Sequence, residues 1–202
     1  MADTTRKAGT QRPGGRSARV RAAALAATLE ELAEEGYSTL SLDSVARRAG
    51  VHKTTLYRRW GTREALVLEA MLERVSERVP VPDTGSLRDD LLALAGAAAA
   101  TMTTPEGEAL VRAVASAGSH DSALAAANRR FWEERLALDA VVVERAVARG
   151  EVPAGTEPRP VIEALLGPLY FRLLVTGERP DRRFIGQVVD LVIDGVGRGR
   201  RV

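Results

Sequence analysis

Apolar residues recur at helical spacing along most of the chain, and glycine and proline cut the pattern into segments. Leu25, Leu29 and Leu32 fall at i, i+4 and i+7, one face of a helix that Gly36 stops. Two short segments follow, 42–49 and 53–59, separated by Gly50 and Val51. Gly61 and Thr62 break the chain again, and Thr62 can cap a longer helix carrying Leu68, Leu72, Val75 and Val79. The run Val79-Pro80-Val81-Pro82 ends that helix, because proline cannot continue it. Helical spacing resumes at once with Leu87, Leu91, Leu94 and Ala98, so the prolines read as a kink between packed parts rather than a free linker.

Beyond Pro105 and Gly107 the pattern gives a short helix with Leu110, Val111 and Val114. A long one over about 121–149 follows, with Leu124, Phe131, Leu138 and Val142 on one stripe. After Pro153, Pro158 and Pro160, the residues Ile162, Leu166, Leu169 and Leu173 mark a further helix, which Pro168 should kink. Phe184, Val188, Leu191 and Val192 mark the last. No strand alternation and no internal repeat emerges. The chain is predicted to be all-α, with about nine helices.

Composition supports this. Alanine is abundant and aromatic residues make up only 4%, a mixture that favours helix over strand. The absence of cysteine removes disulfides, thiolate metal sites and a cysteine nucleophile. The two histidines, His52 and His120, are far apart in sequence, so neither metal nor cofactor is expected. No apolar run approaches the roughly 20 residues that cross a bilayer, and the N-terminus lacks a signal sequence, which points to the cytoplasm.

Charge is distributed unevenly. Residues 1–63 carry 12 basic and 6 acidic side chains, the remainder 17 and 21. A basic N-terminal third on a mildly acidic body fits a polyanionic partner at one end, although a solvated charged surface has the same composition. Residues 1–16, rich in Gly, Arg and Thr, cannot bury a core and read as a disordered basic arm. Of the 29 basic residues 27 are arginine, which makes Lys53 an unusual choice.

The two short segments meet the physical demands of a helix-turn-helix spanning 41–60. Ser41 can cap the first helix, and Asp43 suits the positive end of its dipole. Val45, Ala49, Val51, Leu56 and Trp60 supply a buried face, and Ala46 allows close approach. Gly50 stands where the chain must turn sharply. The second helix is left with Lys53, Thr54, Thr55, Tyr57 and Arg58, a set of donors suited to base edges and phosphates in a major groove. Tyr57 also suits a half-buried packing position, and Arg47 and Arg48 read as solvated surface.

Around this motif, Glu35-Gly-Tyr37, Ala49-Gly-Val51, Thr55-Leu-Tyr57 and Trp60-Gly-Thr-Arg-Glu-Ala-Leu66 resemble the N-terminal domain of TetR-family regulators over about residues 17–78. Residues 83–195, through their helix count and the segment Leu166-Gly-Pro-Leu-Tyr170, resemble that family's C-terminal domain. His52 departs from a frequent serine, and Arg58 and Arg59 from aromatic or histidine side chains. The resemblance implies a homodimeric repressor that binds a double-stranded DNA operator and is released by a small hydrophobic effector.

By the same resemblance, Lys53 and Thr54 read base edges, while Thr55 and Tyr57 hold phosphates. Arg63 clamps a phosphate at the start of the next helix, Ser41 adds one beside its cap, and Arg58 serves either purpose. Arg12, Arg16 and Arg19 add unspecific attraction. Residues 79–202 would form the effector-binding and dimerisation domain. Its candidate pocket residues are Met102, Leu110, Val114, Phe131, Trp132, Arg135, Leu166 and Tyr170, each of which also suits ordinary core. Its candidate dimer face is Leu169, Leu173, Val188, Leu191 and Val192, which could equally bury within one chain.

An enzyme needs a constellation that this sequence lacks. Gly195-Val-Gly-Arg-Gly199 imitates a phosphate loop but no helix follows it, and Glu133-Glu134 and Asp89-Asp90 point different ways on helices. The alternative class is a helical ligand-binding or scaffold protein that has lost DNA binding. The cluster of Lys53, Arg58, Arg59 and Arg63 weighs against it.

Overall fold

The structure, a computed structural model, describes residues 15–117 and 122–197, with the side chains of 113, 114, 116, 117, 122 and 124 left aside. The arm residue Arg12, His120 and the side chains of Val114 and Leu124 therefore lie outside the described part. Nine α-helices and no strand occur among the described residues. They are α1 (Gly15–Glu34), α2 (Leu42–Arg48), α3 (Lys53–Trp60), α4 (Arg63–Arg78), α5 (Leu87–Met102), α6 (Pro105–Ala117), α7 (Ser122–Ala148), α8 (Pro158–Phe171) and α9 (Arg182–Gly197). The all-α expectation is met.

Side-chain caps start several of these helices. Ser41 and Ser44 form a reciprocal capping box at α2. The Thr62 hydroxyl accepts from the Ala65 amide at α4 (3.2 Å), and the Ser86 hydroxyl from the Asp89 amide at α5 (3.1 Å). The turn between α2 and α3 passes through Gly50 at φ 66°, a left-handed conformation that glycine adopts without a steric cost.

The apolar side chains gather into two cores. One is built from α1–α4, with Leu25, Leu32, Val45, Leu56, Trp60 and Leu66 at its centre. Leu110 of α6 and Phe131 of α7 belong to this same core. The second joins α5, α7, α8 and α9 through Leu91, Leu94, Val143, Ile162, Leu165 and Val189. Val75 and Trp132 pack against both, so α4 and α7 bind the cores together. Val79 and Val81 pack on the second core, which makes the proline segment an attached kink.

One stripe read from the sequence is rotated, and most of the candidate dimer face is buried within the protomer. On α7, Leu138 is 52% exposed, whereas Arg135 and Asp139 are buried. The helix turns about 100° per residue, and the inward sector centres on Arg135, Asp139 and Ala146, leaving Leu138 just beyond its edge. Leu169 of α8 and Leu173 of the turn after it are buried in the protomer's own core, as are Val188 and Val192 of α9, so of the five candidate dimer residues only Leu191 is exposed in the protomer. The exposed side of α8 and that turn carries Phe171 and Val175, 57% and 68% exposed. The helix runs through Pro168 and widens into a π-helical turn, Arg172–Thr176, one turn later. Arg172 stacks on Phe184 of α9 at 4.1 Å and pairs with Glu178 at 2.7 Å.

Candidate nucleic-acid interface

The local sequence of α3 separates an inner from an outer face. Leu56 and Trp60, four residues apart, are buried, so Lys53, Thr54, Tyr57 and Arg58 are forced outward. Tyr57 is 50% exposed, and Thr55 lies half-buried beside it. The structure thus brings Lys53, Thr54, Thr55, Tyr57 and Arg58 onto one short helix, with hydroxyl, phenol, ammonium and guanidinium donors directed to solvent. Lys53 Nζ lies 3.7 Å from Asp43 Oδ2 of α2, with both side chains more than half exposed, so a phosphate or base edge can take over that weak pair.

His52 occupies the cap position of α3 and makes no side-chain cap. The first turn is held instead by the Thr55 amide, which donates to the His52 main-chain carbonyl at 2.9 Å. At the other end Gly61, at φ 73°, closes the helix by donating its amide to the Tyr57 carbonyl.

Ser41 and Arg63 flank α3 but are already engaged within the domain. The Ser41 hydroxyl accepts from the Ser44 amide at 3.0 Å, and Ser44 Oγ donates to the buried Glu31 carboxylate at 2.6 Å. The Arg63 guanidinium lies 4.4 Å over the Tyr37 ring, and its Nε donates to Glu64 Oε1 at 2.8 Å. Tyr37 donates its hydroxyl to the same oxygen at 2.9 Å. Partial burial pushes the Glu64 carboxyl up, yet hydrogen bonds from Arg63, the backbone and Tyr37 outweigh it and hold the group below the usual carboxylate range. A phosphate contact from Arg63 therefore competes with Tyr37 and Glu64, a competition that the spacing of residues along the chain does not reveal.

Arg48, read as solvated surface, holds α2 on α1. It donates to Glu34 at 2.6 Å and lies 3.5 Å from Glu31. The Glu34 carboxyl is held below its usual range by that hydrogen bond and by the charge of Arg48. Arg16 and Arg19 of the arm region are exposed at the start of α1.

The candidate effector residues are divided between the two cores. Leu110 and Phe131 lie in the first core, Met102 and Leu166 in the second. Phe131, Trp132 and Tyr170 form a chain of edge-to-face rings with centroids 5.1 and 5.4 Å apart. Arg135 is closed off by a two-pronged ion pair with Asp139, at 2.8 and 2.5 Å. Burial pushes the Asp139 carboxyl up against the opposing pull of Arg135, and pushes the Tyr170 phenol up as well. Asn128 Oδ1 on α7 and Arg74 Nε on α4 are buried polar atoms with no hydrogen-bond partner. A surface groove between α8 and α9, lined by Pro160, Ala164, Pro168, Leu191 and Val196, contains none of the candidate effector residues.

Comparison with known proteins agrees with this geometry. Residues 24–70 match the family described as bacterial regulatory proteins, tetR family, and residues 81–192 match the tetracyclin repressor-like C-terminal domain. The HTH-type transcriptional regulator AqdR of Rhodococcus erythropolis is 37% identical, covering 92% of this chain and 89% of its own. The DNA-binding transcriptional repressor TetR of Mycobacteroides abscessus is 35% identical, covering 85% and 90%. The crystal structure of the TetR family transcription regulator SCO0332 superposes with a TM-score of 0.75 at 37% identity, covering 88% of this chain and 98% of that one. The chain belongs to the TetR family of DNA-binding transcriptional regulators.

Proposed function

We propose that this regulator is a homodimeric repressor that reads its operator with α3 and leaves it when a small, largely apolar effector binds the body. The observation that carries the reading is the outward polar face of α3, fixed in place because Leu56 and Trp60 are buried beneath it. Lys53 and Thr54 read base edges; Thr55, Tyr57 and Arg58 hold phosphates, joined by Ser41 and Arg63 once they are released from their internal partners. Residues 17–78 act as the DNA-binding unit and 79–202 as the effector and dimer unit.

The dimer face favoured by exposure is the apolar side of α8 and α9. Leu191 is 73% exposed there, with Phe171 and Val175 on the neighbouring segment and Val188 and Val192 beneath them. Pairing this face with its copy gives the four-helix arrangement suited to such stripes. The effector is proposed to enter between α4, α6 and α7, near Leu110, Phe131 and Trp132. The unpartnered Asn128 Oδ1 supports a ligand that offers a hydrogen-bond donor. Binding that favours one spacing of the paired α3 helices over another shifts the population away from the DNA-competent state.

The test is a selection of bound fragments from genomic DNA with the full-length protein, followed by salt titration of the recovered fragment. Affinity is expected to fall by about 0.9 log units per log unit of salt for each phosphate neutralised. Failure to enrich any fragment over random duplex would overturn the reading.

A further inference from the structure

We infer that Glu69 is a positioning residue for operator binding: its one carboxylate sets the attitude of the recognition helix against α4. The inference rests on the DNA-binding reading and goes beyond it to a residue that faces no DNA. Trp60 is the last residue of α3, and its indole nitrogen donates to Glu69 Oε2 at 2.6 Å. The other oxygen, Glu69 Oε1, accepts from Arg21 Nε of α1 at 2.5 Å. The two terminal nitrogens of Arg21 then grip both oxygens of Glu73, one turn further along α4, at 2.7 and 2.8 Å. Arg59 closes the group from outside, 5.2 Å over the Trp60 ring and 4.0 Å from Glu69 Oε1.

Three helices therefore meet at one acidic side chain. The indole is a donor only, and so is guanidinium, and here they meet different oxygens of Glu69. A carboxylate accepts on both; an amide in the same orientation would turn its own donor toward one of them. Trp60 is itself buried, so turning α3 about its C-terminal end would strand the indole N–H away from water. Glu69 thus resists the one rotation that would swing Lys53 and Thr54 out of register with base edges. Because α4 also carries Val75, which packs on both cores, the same residue lies between the body and the recognition helix.

The experiment compares full-length wild type, Glu69→Gln, Trp60→Phe and the double variant on two duplexes of equal length. One is the fragment recovered by selection with the wild type, the other a scrambled sequence, both at one salt concentration. The expected result is that each single variant loses about tenfold of the ratio between selected and scrambled affinity, while affinity for the scrambled duplex stays within about twofold. The double variant is expected to lose less than the product of the two single losses, because the singles share the Trp60–Glu69 hydrogen bond. A purely stabilising carboxylate would lower the melting temperature and leave the ratio unchanged, and that result overturns the inference. Should Glu69→Gln fail to fold, the ratio measured for Trp60→Phe, which keeps the aromatic ring, decides alone. If the wild type selects no fragment, the DNA-binding reading itself fails; if it does and the variants discriminate equally well, only the role of Glu69 fails.

Discussion

The recognition unit and the body hold their helices by different means. In the first, α2 and α3 are 7 and 8 residues long, below the length at which a helix persists by itself. Polar side chains fasten them to their neighbours: Arg48 to Glu34, Ser44 to Glu31, Trp60 to Glu69. In the body, α7 runs for 27 residues and meets α5 and α8 through aliphatic side chains, and two of its charges are turned inward as the Arg135–Asp139 pair. The difference follows from what each must expose. A surface that reads DNA has to keep its donors in water, so its short helices bury one narrow face and directional bonds complete their fixing. The body relies more on burial, with polar ties such as Glu151 on the Leu87 amide and Thr84 on Asp90 at the start of α5.

The contrast is broken most severely by Arg135→Met. That change strands the buried Asp139 carboxylate and is expected to cost about 3–5 kcal/mol in denaturant unfolding. The double change Arg135→Met, Asp139→Leu should recover most of the loss, since a well-packed apolar pair replaces the ions. A small loss in the single variant would mean that the pair is wet and the two regions are alike.

In the recognition unit the equivalent change is in binding. Lys53→Ala is expected to weaken specific binding by roughly 1–3 kcal/mol with unfolding unchanged, measured by titration of the selected fragment. Unaltered affinity removes Lys53 from the base readers. Ser41→Ala removes the α2 cap and should cost about 1 kcal/mol of stability. A loss of affinity beyond that share would assign Ser41 a phosphate as well.

The smallest effect is the pH response. Glu73 and Glu34 are held below the usual carboxylate range by hydrogen bonds from Arg21 and Arg48. The stability they contribute is complete above the unfolded carboxylate value of about 4.3 and is lost as pH falls through their lower folded values. Asp139, with its folded value raised, has the opposite sign: its contribution favours the fold at low pH and declines as pH rises through that value. Glu151, held below its usual range by the Leu87 amide and Arg149, gives the body the same sign as Glu73 and Glu34, but Asp139 opposes it there. Acid titration followed by melting should therefore loosen the α1–α4 contacts before the body. Loss of the body first would reverse the comparison.

The motif was legible because its demands are local. A cap at Ser41, a left-handed turn at Gly50 and an inward Leu56 and Trp60 all follow from neighbouring residues. The exposed apolar side was not, because α8 is apolar on two sides and spacing cannot say which of Leu169 and Phe171 faces solvent. On α7, polarity kept Asp139 out of the expected stripe, although it is buried there as the partner of Arg135. The bonds of Arg21 to Glu69 and Glu73 cross 48 and 52 residues of chain, and no spacing rule links such positions. Arg63 was found as a cation but not as a partner of Tyr37, since the loop that brings the ring to it has no sequence signature.

Hydroxyl-radical footprinting of the full-length protein on the selected fragment tests the central claim most directly. Two copies of α3 entering successive major grooves predict two protected patches on one face of the duplex, centred about 34–36 Å apart, both fading in Lys53→Ala. A single patch, or protection spread evenly along the fragment and indifferent to Lys53, would contradict it.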